Sequence, residues 1–287
     1  MTDLTGLIAL TRSEVHAWHG RAGEPGGAPG EPSESDLAIL SADERSRCRR
    51  FVRQPDRARF AATHAAVRRL LSRYLAARAA EIRFGLKPCC ECGSTEHGPP
   101  RIDWPPTDIT CNLSGSGDHW LLAVTRGRPV GADIEVPRDV DTGQLALVCL
   151  TAAEQQYLSG RSEDGQLAVF YRCWTRKEAV LKACGVGLSS SLRELEVSPG
   201  QDGPVEVRHS CKAGPDRWIV QDLPASAAQV GAADRARAPF QDAAATGPTD
   251  ASGVAGATGI GWLGAIAQPA ADAGRVWFFE AADAGLA

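Results

Sequence analysis

In Gly131-Ala132-Asp133-Ile134-Glu135 two carboxylates stand one residue apart. On a strand, the period of two turns both to one side and Ile134 to the other, into a core. Two like charges that close repel each other, and a divalent cation relieves the repulsion. Oxygen ligands in an incomplete protein shell suit Mg²⁺ held jointly with a phosphate-bearing substrate. The competing reading of an isolated Asp-x-Glu pair is a solvated edge. Further along, FYRCWTRKEAVLKACGVGL (Phe170 to Leu188) repeats Trp174, Glu178 and Lys182 at four-residue spacing, which stacks them on one helical face. Glu178 and Lys182 alone would form a surface ion pair. Trp174 is unfavourable to expose, so its place on the same ridge favours a covered site. Glu178 then reads as a third metal carboxylate, with Lys177 or Lys182 facing a phosphate. Gly185 and Gly187 read as a helix cap and turn that bring GLSSSL back beside the helix.

Other elements must position these groups. SEVHAWHG alternates like a strand and runs into a Gly/Pro-rich loop, GRAGEPGGAPGEPSE. Ser41 with Glu44 forms a capping box that opens SADERSRCRRF, and DRARFAATHAAVRRLLSRYLAARAA has helical periodicity. HWLLAVT and PVGADIEV read as two strands around a turn at Arg126–Pro129. The stretch from about Thr142 to Cys184 is helix-rich, with Thr151 and Glu154 forming a second capping box. LRELEV, VEVRHS, RWIVQDL, GWLGAIAQ and RVWFFEA all read as strands. Residues 225–259, rich in Ala and Gly, bury too little to offset ordering entropy and read as a mobile insertion. The result is an α/β (α+β) chain of two similar α/β halves, residues 1–130 and 131–287.

The chain has 287 residues and a formal charge of −4, which argues against a general nucleic-acid binder. It shows neither a signal peptide nor a span long and apolar enough for a bilayer, so a soluble, cytoplasmic protein without membrane contact is expected. Nine cysteines, an odd number scattered through core-like segments, read as thiols in a reducing compartment. PCCECGSTEHG holds Cys89, Cys90, Cys92 and His97. It reads first as a surface loop with thiols, and a zinc knuckle is the alternative. His16 and His19 in HAWH point to opposite strand faces and make no metal motif.

The motif G-x-D-x-E (Gly131, Asp133, Glu135), followed by W-T-x-K-E-A-x-x-K-x-x-G-x-G-L (Trp174 to Leu188), resembles the signature of the 4′-phosphopantetheinyl transferases, best the larger pseudo-dimeric Sfp type. CRRF (Cys48–Phe51), the Arg-rich helix after it and CNLSGSGD sit in matching order, so the likeness spans about Val15 to Leu223. The resemblance implies two α/β subdomains related by a pseudo-twofold, in a monomer. The N-terminal subdomain would bring the contacts to coenzyme A phosphates and carrier, the C-terminal one the metal and catalytic motifs. The implied reaction moves the phosphopantetheine arm of coenzyme A to a serine of an apo acyl or peptidyl carrier protein of fatty-acid, polyketide or nonribosomal peptide synthesis, and releases 3′,5′-ADP. By motif position, Asp133, Glu135 and Glu178 would hold Mg²⁺, Glu178 would accept the serine proton, and Lys182 would stabilise the leaving phosphate. Arg47, Arg59, Ser114, Gly115, Ser116, Asp133, Lys177 and Lys182 would bind coenzyme A, while Trp174 would serve packing.

Three positions depart from the family pattern. Gly115 stands where it has a histidine, Glu44 where it often has a base, and Pro99 where a base follows the glycine. Each removes a donor or cation, which implies a weakened grip on a coenzyme A phosphate, the 3′-phosphate above all, and a reduced preference for coenzyme A over dephospho-coenzyme A. The rival readings are a degenerate homologue that binds a carrier protein or nucleotide without turnover, and a zinc-stapled interaction protein.

Overall fold

The computed structural model describes residues 6–22, 31–96, 98–186, 192–210, 214–223 and 261–284. The expected insertion at 225–259, as well as Gly187, Leu188 and His97, lies outside them. The elements run β1 (Glu14–Arg21), α1 (Glu34–Ile39), α2 (Ala42–Arg50), α3 (Gln54–Leu75), β2 (Arg83–Leu86) and β3 (Pro100–Trp104). Then come β4 (Ile109–Ser116), β5 (His119–Arg126), β6 (Gly131–Glu135), α4 (Thr142–Cys149), α5 (Ala152–Ser159) and α6 (Glu163–Cys184). The chain continues through β7 (Val205–Arg208), β8 (Arg217–Asp222), β9 (Leu263–Pro269) and β10 (Arg275–Glu280).

The α/β class is as the sequence reads. One four-stranded sheet has the order β10-β1-β5-β4, another β6-β9-β8-β7, and β2 pairs with β3 as a separate hairpin. Trp18, Leu70, Leu71, Trp120 and Leu122 close the core between α3 and the first sheet. Phe170, Val180, Leu181, Trp218 and Val220 do the same for α6 and the second sheet. Where the two sheets meet, Val15, Ala17, Leu121, Ala123, Ala132, Ile134, Trp262 and Ile266 form a third apolar cluster. Both predicted capping boxes are present, Ser41 with Glu44 and Thr151 with Glu154.

Four features differ from the sequence reading. The strands flanking Arg126–Pro129 do not form a hairpin: β5 pairs with β1 and β4, whereas β6 pairs with β9 in the other sheet. LRELEV is no strand; it begins with a 3₁₀ turn at Leu192–Glu194, then buries Leu195 and Val197 with no strand partner among the described residues. CNLSGS, without a strand assignment from sequence, lies within β4. Finally, β10 crosses back and pairs in parallel with β1, so a cut at 131 leaves that strand apart from its partner.

The polar face of β4 explains why that strand is hard to read. Asn112 Oδ1 accepts the Ala132 N–H at 3.0 Å, Ser114 Oγ the Ile134 N–H at 3.4 Å, and Ser116 Oγ the Val136 N–H at 3.1 Å. These side chains take the place of a backbone ladder along β6 and fix where Asp133 and Glu135 stand. No disulfide links the eight described cysteines. No described helix is long and apolar enough to cross a membrane.

Candidate active site

The approach of α6 to β6 builds the site. A Cβ on Gly131 would lie 1.9 Å from the Ala179 carbonyl oxygen and 2.6 Å from the Ala183 nitrogen. Both obstacles are helix backbone and cannot rotate away, so only glycine permits this packing. The close contact brings the Glu178–Lys182 face of the helix against Asp133. At the far end of α6, Gly185 takes φ +76° as C-cap, and its N–H donates to the Leu181 carbonyl at 2.9 Å.

Asp133 is buried, and its Oδ1 accepts from Ser114 Oγ at 2.8 Å and Lys182 Nζ at 2.5 Å. Lys182 Nζ also donates to Ser114 Oγ at 3.0 Å. Ser116 Oγ donates to Glu135 Oε2 at 2.6 Å. Asp133 Oδ2 and Glu178 Oε1 are buried and have no hydrogen-bond partner. Burial, and then Asp133 and Glu135 as like charges, push the Glu178 carboxyl up to about 7 despite Lys182. Burial likewise raises Asp133 to about 6, with Lys182 and Ser114 opposing and Glu135 adding to the rise. Three carboxylates from a strand and a distant helix thus share one field with a single lysine, and two of their oxygens lack a partner.

Those oxygens are hard donors in surroundings that penalise their charge, and a divalent cation answers both conditions. As the side chains stand, no three described His, Cys, Asp or Glu residues draw together around a metal position. Lys182 Nζ sits on the inner oxygen of Asp133 instead.

The remaining predicted residues divide. Lys177, expected to face a phosphate, does not: it is fully buried, forms an ion pair with Glu154 at 2.6 Å and donates to the carbonyls of Leu192 at 2.8 Å and Leu195 at 2.6 Å. All three of its N–H bonds are engaged, because Lys177 lies on the helix face turned away from Glu178. Ser114 and Ser116 direct their protons at Asp133 and Glu135, so they orient the carboxylates. Arg59 holds Asp118 at 2.6 Å and Asp56 at 2.7 Å. Arg47 is exposed, with its guanidinium 5.4 Å from the centre of the Phe60 ring. Gly115 is exposed, and a Cβ there would meet only the His119 carbonyl oxygen, at 3.5 Å. Trp174 packs against Phe170, the ring centres 6.3 Å apart.

Two departures from the family pattern have structural explanations. Glu44 turns inward to Arg68 at 2.8 Å and His64 at 3.4 Å. Burial would raise its carboxyl, but His64, the Ser41 N–H and Arg68 together hold it down at about 2. Pro99 packs on Gly185, where a Cβ would come within 2.7 Å of the proline ring. The cysteine loop docks nearby, Cys90 Sγ donating to the Cys184 carbonyl at 3.3 Å. Cys89 is buried and Cys92 exposed.

Comparison with known proteins agrees with the motif reading. Residues 129–234 match the 4′-phosphopantetheinyl transferase superfamily. The 4′-phosphopantetheinyl transferase Sfp of Bacillus subtilis (strain 168) is 30% identical over 177 residues, which cover 62% of this chain and 74% of the relative. Another 4′-phosphopantetheinyl transferase of Bacillus subtilis is 33% identical over 172 residues, 60% of this chain and 71% of the relative. The 4′-phosphopantetheinyl transferase HetI of Nostoc sp. is 30% identical over 205 residues, 70% of this chain and 81% of the relative.

Proposed function

The chain belongs to the 4′-phosphopantetheinyl transferase family and modifies carrier proteins using coenzyme A; from that premise we propose that Asp133, Glu135, Glu178 and Lys182 carry the transfer. The observation that supports this most is the pair of buried, unpartnered oxygens, Asp133 Oδ2 and Glu178 Oε1, beside Lys182. Asp133, Glu135 and Glu178 would hold Mg²⁺. When bound, the ion neutralises pyrophosphate charge and polarises its oxygens.

The protein's own groups do the rest. The serine hydroxyl of the carrier attacks the phosphorus that bears the pantetheine arm. The new P–O bond forms as the bond to the second phosphate breaks, and 3′,5′-ADP leaves. Glu178, on the helix face that meets Asp133, would take the serine proton. Lys182, held beside Asp133 and Ser114, would face the charge that builds on the leaving phosphate. Ser114 and Ser116 hold Asp133 and Glu135 in register. Arg47, exposed on α2, and Arg59 on α3 are the cations offered to coenzyme A phosphates, with Gly115 at the open rim between strands. The residues before Gly131 supply those contacts, and the residues after it the chemistry. The resident compartment is the cytoplasm, and the carriers are those of fatty-acid, polyketide or nonribosomal peptide synthesis.

Mass spectrometry of an apo carrier protein incubated with the enzyme, coenzyme A and Mg²⁺ tests this. The expected result is a mass gain equal to phosphopantetheine, abolished by Asp133→Ala or Glu178→Ala. Binding of coenzyme A and carrier without any mass gain would point to the non-catalytic reading instead.

A further inference from the structure

A chain of three titratable side chains lies near the carboxylate site and takes no part in the transfer as described. His19 is 5% exposed, packed against Trp262 with ring centres 4.5 Å apart. Its Nδ1 lies 2.6 Å from Glu280 Oε2, and its Nε2 lies 2.8 Å from His119 Nδ1. A carboxylate only accepts, so the Nδ1–H of His19 donates to Glu280. With that single proton on Nδ1, the Nε2 of His19 offers a lone pair, and His119 donates its Nδ1–H to it. The tautomer and ring orientation of His119 are therefore set from within the protein. The outer nitrogen of His119, Nε2, makes no hydrogen bond to a described residue, and the side chain is only partly buried.

His119 stands at the rim of the same site. It begins β5 directly across from Ser116, whose hydroxyl holds Glu135. Its carbonyl borders the open position at Gly115. The titratable and charged groups around His119 are His19 and Arg21 from β1, Glu280 from β10, and Asp118 from its own hairpin, which Arg59 of α3 in turn holds. Burial above all, with the Arg21 charge adding to it, lowers the His119 imidazole below its ordinary range, against Asp118 and Glu280. An imidazole that is neutral when free gains a proton when a phosphate settles on it.

We infer that His119, oriented by His19 and Glu280, is a substrate-contacting residue that donates from Nε2 to a phosphate of coenzyme A. The inference rests on the transferase reading of the site. His119 is the contact, and His19 is a positioning residue.

Calorimetric binding of coenzyme A at fixed Mg²⁺, at pH 6 and pH 8, tests it beside the carrier-transfer assay. Wild type should bind more tightly at pH 6 and take up protons, as read from buffers of different ionisation enthalpy. His119→Ala should weaken binding about tenfold at pH 6, the loss of one charge-assisted hydrogen bond, and remove most of the pH difference. His119→Gln, which keeps a neutral donor, should fall between the two without proton uptake. Thermal unfolding of each variant separates a local change from misfolding. Wild-type affinity and proton uptake in a folded His119→Ala protein that still transfers would overturn the inference alone. Absence of both transfer and coenzyme A binding in wild type would overturn the reading of the site, and this inference with it.

Discussion

Lys177 and Lys182 lie five residues apart on α6, and their surroundings could hardly differ more. Lys177 is fully buried, and its three N–H bonds go to Glu154 and two carbonyls. Glu154 is equally complete, since Oε2 also accepts the Thr151 N–H at 2.9 Å and Oε1 the Val197 N–H at 2.8 Å. Lys182 is partly exposed and faces three carboxylates, two of which keep an oxygen without a partner. The first network is closed and pins the loop after α6 to the helix. The second carries an excess of negative charge in a buried place, which a molecule retains where something from outside is to complete it. One helix thus presents a structural ion pair on one face and an incomplete polar cluster on another.

The largest effect should come from breaking the incomplete cluster. Glu178→Gln or Asp133→Asn should lower kcat/KM by about 10²–10⁴-fold, while thermal unfolding stays unchanged or rises because a buried repulsion is gone. In the closed network the outcome should invert. Lys177→Met leaves Glu154 buried without a counter-charge and should destabilise the fold by about 3–5 kcal/mol in denaturant melts. Adding Glu154→Gln should recover part of that, and turnover per folded molecule should be unaffected.

The pH dependence of stability sharpens the contrast. Asp133 and Glu178, at about 6 and about 7, titrate above their ordinary values of 3.8 and 4.5. The folded state therefore holds protons that the unfolded chain releases, and in EDTA the protein should lose stability as pH rises from about 4 to about 7. Mg²⁺ should restore that loss at pH 7.5 and do little at pH 5. Glu44, held at about 2 against an ordinary 4.5, works in the opposite sense: its contribution is full above 4.5 and fades as pH falls toward 2. Denaturation midpoints against pH should lose part of their upper limb in Glu178→Gln, Asp133 keeping the rest, and their lower limb in Glu44→Gln. The smallest effect is expected for Gly115→His, which has room for its Cβ and should lower KM for coenzyme A several-fold, with a greater preference over dephospho-coenzyme A.

Much of the candidate site is legible in the sequence. Asp133, Glu135, Glu178 and Lys182 follow from strand and helix periods combined with motif spacing. Both capping boxes follow from local sequence, because a cap is satisfied within four residues. What failed depends on partners far away in the chain. LRELEV alternates like a strand, yet no described strand pairs with it, and the Val197 N–H goes to Glu154 instead. β4 was obscured because its Ser and Asn residues, ordinarily turn formers, serve here as substitutes for a ladder along β6. Lys177 stands next to Glu178 in sequence, but a helix turns adjacent residues about 100° apart, so one faces the core and the other the site. The His19–His119–Glu280 chain links residues up to 261 positions apart, and nothing in local sequence announces it. Glu44, read as a missing base, is better understood as the partner of the buried Arg68.

The central claim is that carboxylates from β6 and α6 share one divalent ion. Titrating Mn²⁺ as a surrogate for Mg²⁺ in the presence of coenzyme A, with free ion followed by electron paramagnetic resonance, tests it directly. Wild type should bind one ion, and folded Asp133→Asn and Glu178→Gln should each lose that binding. Equal affinity in all three proteins would contradict the account.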